Sequence, residues 1–145
     1  QLTTAFAESL TGGLAGERLV SLPGASLIFL GSIVAYDNVM KERCLEVSQE
    51  TLAAHGAVSE ETATEMVEGI VRVTGAETAL SFTGIAGPAG GTPEKPVGLT
   101  FIGTYVRGHM AVDRFHFRGT RDRIRNQAVS IGYAGMLRMT GYTYK

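Results

Sequence analysis

The stretch Leu2-Thr3-Thr4-Ala5-Phe6-Ala7-Glu8-Ser9-Leu10-Thr11-Gly12-Gly13 decides the fold class. Leu2 to Ala7 reads as a short buried strand, and the chain then turns through Glu8–Gly13. Leu14, Leu19 and Val20 suggest a helix, stopped near Pro23-Gly24. In α/β proteins a strand-to-helix junction of this kind faces the ligand crevice.

Strand and helix signals continue to alternate outward from this stretch. Leu27–Tyr36 is β-branched and aromatic, a second strand. Asn38–Leu45 suits a short helix, and Ser48 can cap another that runs to His55-Gly56. Ser59 followed by Glu60 and Glu61 is a strong helix start. Ala63, Met66, Val67, Ile70 and Val73 then recur at helical spacing until Gly75. Thr78–Thr83 predicts a third strand, and Gly84–Pro96 a loop rich in Gly and Pro. Val97–Val106 and Met110–Phe117 predict a hairpin around Arg107-Gly108-His109. Thr120 can cap a last helix with Ile124, Ala128, Ile131 and Gly135 on one face. The order predicts an α/β sandwich on a mixed sheet.

Composition bounds the function. The 145 residues suit one domain, 1–145, and 44% apolar with 19% charged residues argues against disorder. A net charge of −1 gives no support to a general polyanion-binding role. The single Cys44 excludes an internal disulfide framework and a Cys-based zinc site, and is expected to be a packed thiol. His55, His109 and His116 lack metal-ligand spacing and are expected to be structural. No apolar run approaches the ~18 residues of a membrane span, and no signal peptide opens the chain. A cytoplasmic soluble domain without metal or cofactor is expected. The start at Gln1 rather than Met leads us to expect a trimmed N-terminus. Charge is uneven: six arginines and two acids lie between Arg107 and Arg125, a cluster suited to a small anion.

Four segments hold residues that can carry chemistry. Ser9, beside Thr11-Gly12-Gly13, can be a nucleophile near helical N–H donors; Ser9 and Thr11 equally suit caps of the next helix. Tyr36, Asn38 and Lys41 follow the second strand. A partly desolvated lysine has a lowered pKa and can deprotonate a serine, with Tyr36 relaying a proton; a surface lysine and half-buried tyrosine are the plainer alternative. The loop from Thr83-Gly84 to Pro96 resembles a phosphate cradle, but lacks the GxxxxGK[ST] pattern and reads as a pocket wall. Arg121 and Arg125 share a helix face that suits a phosphate or carboxylate, or simply a solvated surface.

Taken together, five segments resemble one family. Ala7–Gly13 (AESLTGG), Tyr36–Lys41 (YDNVMK), His55–Ser59 (HGAVS), Thr83–Gly98 (TGIAGPAGGTPEKPVG) and Gly119–Arg121 (GTR) are similar, in order, to the motifs of the CinA C-terminal domain, the family of PncC-type nicotinamide mononucleotide amidohydrolases. The resemblance implies a three-layer α/β/α sandwich on a mixed, mostly parallel sheet of about five strands. It implies deamidation of nicotinamide mononucleotide to nicotinate mononucleotide and ammonia, a step of pyridine nucleotide salvage, without metal. Ser9 would be the nucleophile, Lys41 its base and Tyr36 an assistant. Thr11, Gly12, Gly13, Asn38, Thr83 and Gly84 would line the pocket, and Arg121 with Arg125 would hold the substrate.

Leu10, Asp37, Val39, Met40 and Thr120 depart from the family pattern, and the family's first helix has no counterpart here. A second reading is a catalytically silent pyridine-nucleotide-binding or regulatory domain. A nucleic-acid-binding module fits poorly, because the chain has no Trp and no basic-aromatic strip. Apolar positions around Leu27–Leu30 lead us to expect a homo-oligomer.

Overall fold

The computed structural model describes residues 1–141. The strands are β1 (Thr4–Glu8), β2 (Phe29–Val34), β3 (Thr78–Gly84), β4 (Leu99–Val106) and β5 (His109–His116). The helices are α1 (Leu14–Val20), α2 (Asn38–Leu45), α3 (Gln49–His55), α4 (Glu60–Thr74) and α5 (Arg121–Met139). One five-stranded sheet runs in the order β2-β1-β3-β4-β5. β1 pairs in parallel with β2 and β3, while β3–β4 and β4–β5 are antiparallel. Four strands therefore share one direction and β4 alone opposes them.

Side-chain alternation sorts the two faces of the sheet. Phe6, Leu80, Phe82 and Ile102 pack with Leu19, Ile124, Ala128, Val129 and Met136 of α1 and α5. Ala5, Ala7 and Ala79 point the other way, toward Leu45, Met66, Val67 and Ile70 of α2 and α4. Small residues on that face let α4 lie close, and Ser81 Oγ donates to the Ala63 carbonyl at 2.7 Å.

Local chemistry set several boundaries as expected. Ser48, Ser59 and Thr120 cap α3, α4 and α5 by accepting from the N–H groups of Thr51, Thr62 and Arg123. Arg107 and Gly108, both at positive φ, make the tight hairpin turn, so His109 belongs to β5. Two expectations change. The second strand is shorter than Leu27–Tyr36, because Ala25–Leu27 form a 3₁₀ turn and the β1–β2 register slips next to Phe29. On α5 the buried row is Ile124, Ala128, Gly132 and Met136, with Val129 beside it, and Ile131 is 38% exposed. A strict four-residue ridge meets the sheet there, with Gly132 against the Phe82 ring.

The connections place the site. β1 crosses to β2 through α1 on one face, and β2 returns to β3 through α4 on the other. The carboxyl end of β1 is thus where the chain's direction across the sheet reverses, the place where α/β sheets open a crevice. Register aligns Glu8 with Val34 and with Phe82, so Ser9, Tyr36 and Thr83-Gly84 emerge at one rim.

Gly69 of α4 tests the tight α2–α4 packing. A methyl there would sit 2.3 Å from the Leu45 carbonyl oxygen. Gly→Ala inside a helix ordinarily stabilises by roughly 0.5–1 kcal/mol. Gly69→Ala is expected to reverse that sign and lower the unfolding free energy by about 1–3 kcal/mol, read as a fall in the urea midpoint at unchanged m.

Candidate active site

Glu8 closes β1 and is fully buried. Its carboxylate accepts from the N–H groups of Gly13 (3.2 Å), Ala15 (2.8 Å) and Gly16 (3.1 Å). The start of α1 is therefore occupied by a protein carboxylate, and its N-cap, Gly13, makes no side-chain cap. Neither Ser9 nor Thr11 serves as that cap, which settles the alternative left open by the sequence. Gly12 and Gly13, at φ +58° and +106°, let the chain turn sharply between strand and helix. The same carboxylate, after burial, pushes the Tyr133 phenol up; its hydroxyl donates to the Ala15 carbonyl at 2.6 Å.

The turn presents Ser9, 7% exposed, whose own N–H bonds to the Phe82 carbonyl at 2.9 Å. Lys41 comes from α2, where Asp37 caps the helix by accepting from the Val39 N–H at 2.9 Å. The lysine is 1% exposed, and its Nζ lies 3.0 Å from Ser9 Oγ and 2.8 Å from the Tyr36 carbonyl oxygen. Desolvation pushes the Lys41 ammonium down to about 8, against a smaller upward pull from the Asp37 carboxylate. A buried lysine in contact with a serine hydroxyl, whose ammonium gives up its proton more readily than a solvated one, is an arrangement suited to activating a serine.

A cavity of about 280 Å³ opens over this pair. Its walls include Leu10, Tyr36, Val58, Thr83, Gly84, Gly87 and Arg121. Thr83 Oγ1 donates to the Ala57 carbonyl at 2.6 Å, fastening the His55–Ser59 segment to β3. Lys95 Nζ holds the His55 carbonyl at 2.5 Å, so the Gly/Pro-rich loop is a braced wall. Arg121 opens α5, donating from one terminal nitrogen to the Gly87 carbonyl (2.8 Å) and from the other to the Tyr36 hydroxyl (3.2 Å). It has no carboxylate within ion-pair distance among the described residues, so its charge stands open to an anion.

The other expected site residues sit elsewhere. Arg125 turns its guanidinium to the carbonyls of Leu10 (2.8 Å) and Thr11 (2.9 Å), and does not line the cavity. The two arginines thus do not form one anion clamp. Thr11 is fully buried, Gly12 is exposed, Gly13 is half-buried and Asn38 is exposed; none of them lines the cavity. Sequence reasoning missed Glu8 as the anchor of the site. Its signal was a carboxylate closing an apolar strand just before paired glycines. No group of three or more His, Cys, Asp or Glu gathers as a metal site requires among the described residues, and no described helix is long and apolar enough to cross a membrane.

The geometry defines a serine–lysine site at the switch point of a mixed α/β sheet. The profile of the CinA C-terminal domain matches residues 1–140, and the chain belongs to that family. The CinA-like protein of Kosmotoga olearia is 52% identical over 127 residues, 88% of this chain and 31% of the relative. A putative competence-damage inducible protein of Clostridium novyi is 46% identical over 128 residues, 88% of this chain and 31% of the relative. The chain spans about a third of the length of these curated relatives. Among solved structures, the competence/damage inducible protein CihA of Agrobacterium tumefaciens matches with a TM-score of 0.94 at 36% identity, over 96% of this chain and 86% of that one. The competence damage-inducible protein A of Klebsiella pneumoniae matches with 0.93 at 30% identity, over 99% and 89%.

Replacing Glu8 leaves three N–H groups, two of them buried, without an acceptor. Glu8→Ala is expected to cost at least about 3 kcal/mol of unfolding free energy, and Glu8→Gln, which keeps one amide oxygen, clearly less. Chemical denaturation of the three proteins gives the order.

Proposed function

We propose that this chain is an amidohydrolase that converts nicotinamide mononucleotide to nicotinate mononucleotide and ammonia. The observation that carries the reading is the buried Lys41 Nζ, 3.0 Å from Ser9 Oγ at the floor of a cavity that Arg121 flanks. The substrate follows from the family motifs and from its fit to these two groups: an amide carbon for the serine and a phosphate for the unpaired guanidinium.

Neutral Lys41 takes the Ser9 proton as Oγ bonds to the carboxamide carbon. The C–N bond of the tetrahedral adduct breaks, and Lys41 returns the proton to the nitrogen, which leaves as ammonia. Lys41 then draws a proton from water, whose oxygen attacks the acyl ester; the bond from the acyl carbon to Ser9 Oγ breaks, Lys41 returns the proton to Oγ, and the product leaves as the acid, which ionises in water. The oxyanion is assigned to the N–H of Leu10, which lines the cavity and bonds to no acceptor among the described residues, while Arg125 holds the carbonyls of Leu10 and Thr11 in place. Tyr36 contributes its carbonyl to Lys41 and its hydroxyl to Arg121, coupling the base to the anion site.

Ammonia release from nicotinamide mononucleotide tests the reading directly. The parent is expected to turn over, and Ser9→Ala to fall to background while binding the same ligand. Equal release by both would overturn Ser9 as nucleophile; binding without release by the parent would make the chain the silent nucleotide-binding domain.

The pH profile tests Lys41. Only its neutral form accepts the serine proton, so kcat/KM should rise with pH through about 8, the value to which burial lowers it. Lys41→Arg, charged at every working pH, is expected to lose roughly 10²–10⁴-fold in rate and the rising limb with it.

A further inference from the structure

Lys41 is a buried cation without a counter-ion. Its Nζ lies 3.0 Å from Ser9 Oγ and 2.8 Å from the Tyr36 carbonyl oxygen, both neutral groups. No carboxylate among the described residues comes within ion-pair distance of it. Of the ionisable groups on neighbouring elements, Glu8 of β1 is committed to the N–H groups of α1. On α4, Glu65 accepts from the Ser48 N–H and Arg72 pairs with Glu46. The Tyr36 hydroxyl is taken by Arg121. Asp37, just before α2, is the charge that acts on the lysine; it is exposed and accepts from the Val39 N–H.

The cavity over the lysine repeats the imbalance. Among the described residues its walls hold two cations, Lys41 and Arg121, and no Asp or Glu. The rest is backbone, hydroxyl groups and apolar side chains such as Leu10, Val58 and Ile85. A buried charge is ordinarily paired, and here the partner has to be brought by a ligand.

We infer that this cavity holds a carboxylate against Lys41, and so retains the acid product of the proposed reaction more tightly than its carboxamide substrate. The inference rests on the amidohydrolase reading, which puts the reacting carbon at Ser9 Oγ and thus beside the lysine. Substrate and product share the ring, the sugar and the phosphate, so Arg121 serves both alike. They differ at the group that meets Lys41. A carboxylate accepts a charge-assisted hydrogen bond from the ammonium, and its second oxygen can take the Leu10 N–H; a carboxamide brings no charge. Turnover and product binding therefore use opposite forms of one amine. The neutral amine takes the Ser9 proton, while the ammonium holds the carboxylate. Burial lowers the lysine to about 8, so the ammonium is the larger fraction at pH 7. The reaction is then checked by its own product as that product accumulates.

Calorimetric binding of nicotinate mononucleotide and nicotinamide mononucleotide at pH 7 and pH 9 tests this, with Ser9→Ala in place of the parent so that the amide is not consumed. A phosphate monoester, with its second pKa at about 6, stays doubly charged over that range. At pH 7 the acid should bind at least about tenfold more tightly than the amide. Its Kd should weaken about tenfold by pH 9, as the ammonium fraction falls, and binding there should take up a proton; the amide should not follow. Lys41→Met should remove both the preference and its pH dependence. The comparison of the two pH values needs no lysine variant, so it stands even where Lys41→Met does not fold. In the parent, the acid should inhibit ammonia release competitively, more strongly at pH 7 than at pH 9. Equal affinity for acid and amide at pH 7, or a preference that folded Lys41→Met retains, overturns the inference, while ammonia release by the parent keeps the amidase. A parent that releases no ammonia, yet binds the acid in this pH- and Lys41-dependent way, keeps the carboxylate site and loses the amidase. Binding of neither nucleotide overturns both.

Discussion

The site is organised by one buried carboxylate. An ionised side chain at the end of β1 costs several kcal/mol to desolvate unless the fold gives it partners. Glu8 receives three backbone N–H groups from the first turn of α1, which is also where the helix dipole favours negative charge. Strand and helix are thereby locked at a fixed separation, and the residues between them have little freedom. Ser9 is the first of those residues. The same bonds occupy the helix start that would otherwise attract a substrate anion, so positive charge for a ligand has to come from another element. The positive charge at the cavity wall is that of Arg121, at the start of α5.

The second constraint is the balance at Lys41. Burial favours the neutral amine and makes it a weaker base than a solvated lysine. Asp37 pulls the other way, and the Tyr36 carbonyl at 2.8 Å accepts from the ammonium form. The outcome is an amine that exchanges its proton near neutral pH and whose position relative to Ser9 is held by a carbonyl rather than by a flexible side chain. That is the property general acid–base chemistry requires of a group that must take a proton and later return it.

What was legible in the sequence is what local chemistry decides. Ser48, Ser59 and Thr120 each sit before a helix and each forms its cap, because the acceptor and its N–H lie within one turn. Asp37 and Thr120 depart from the family pattern, yet each still caps the helix that carries Lys41 or Arg121, so the departures leave those two residues in place. Leu10 joins the apolar core beside Phe6 and Ile124. What was not legible depends on contacts far along the chain. Arg125 looked like a partner of Arg121 on a helical face, but the carbonyls of Leu10 and Thr11, more than a hundred residues earlier, claim its guanidinium. Glu8 looked like the end of a strand because its partners become visible only once α1 has folded back over it. The inward row of α5 shifted because Phe82, on a different element, fits only against Gly132.

Two sides of the cavity meet at Tyr36. It follows β2 directly, with its carbonyl 2.8 Å from Lys41 Nζ and its hydroxyl 3.2 Å from Arg121. The Ala35 N–H bonds to the Glu8 carbonyl, so the backbone that presents the Tyr36 carbonyl is tied to β1 at the residue before it. The lysine of α2 and the arginine of α5 are therefore both set against one residue that the sheet positions, and the strand end that carries Glu8 fixes that residue as well as Ser9.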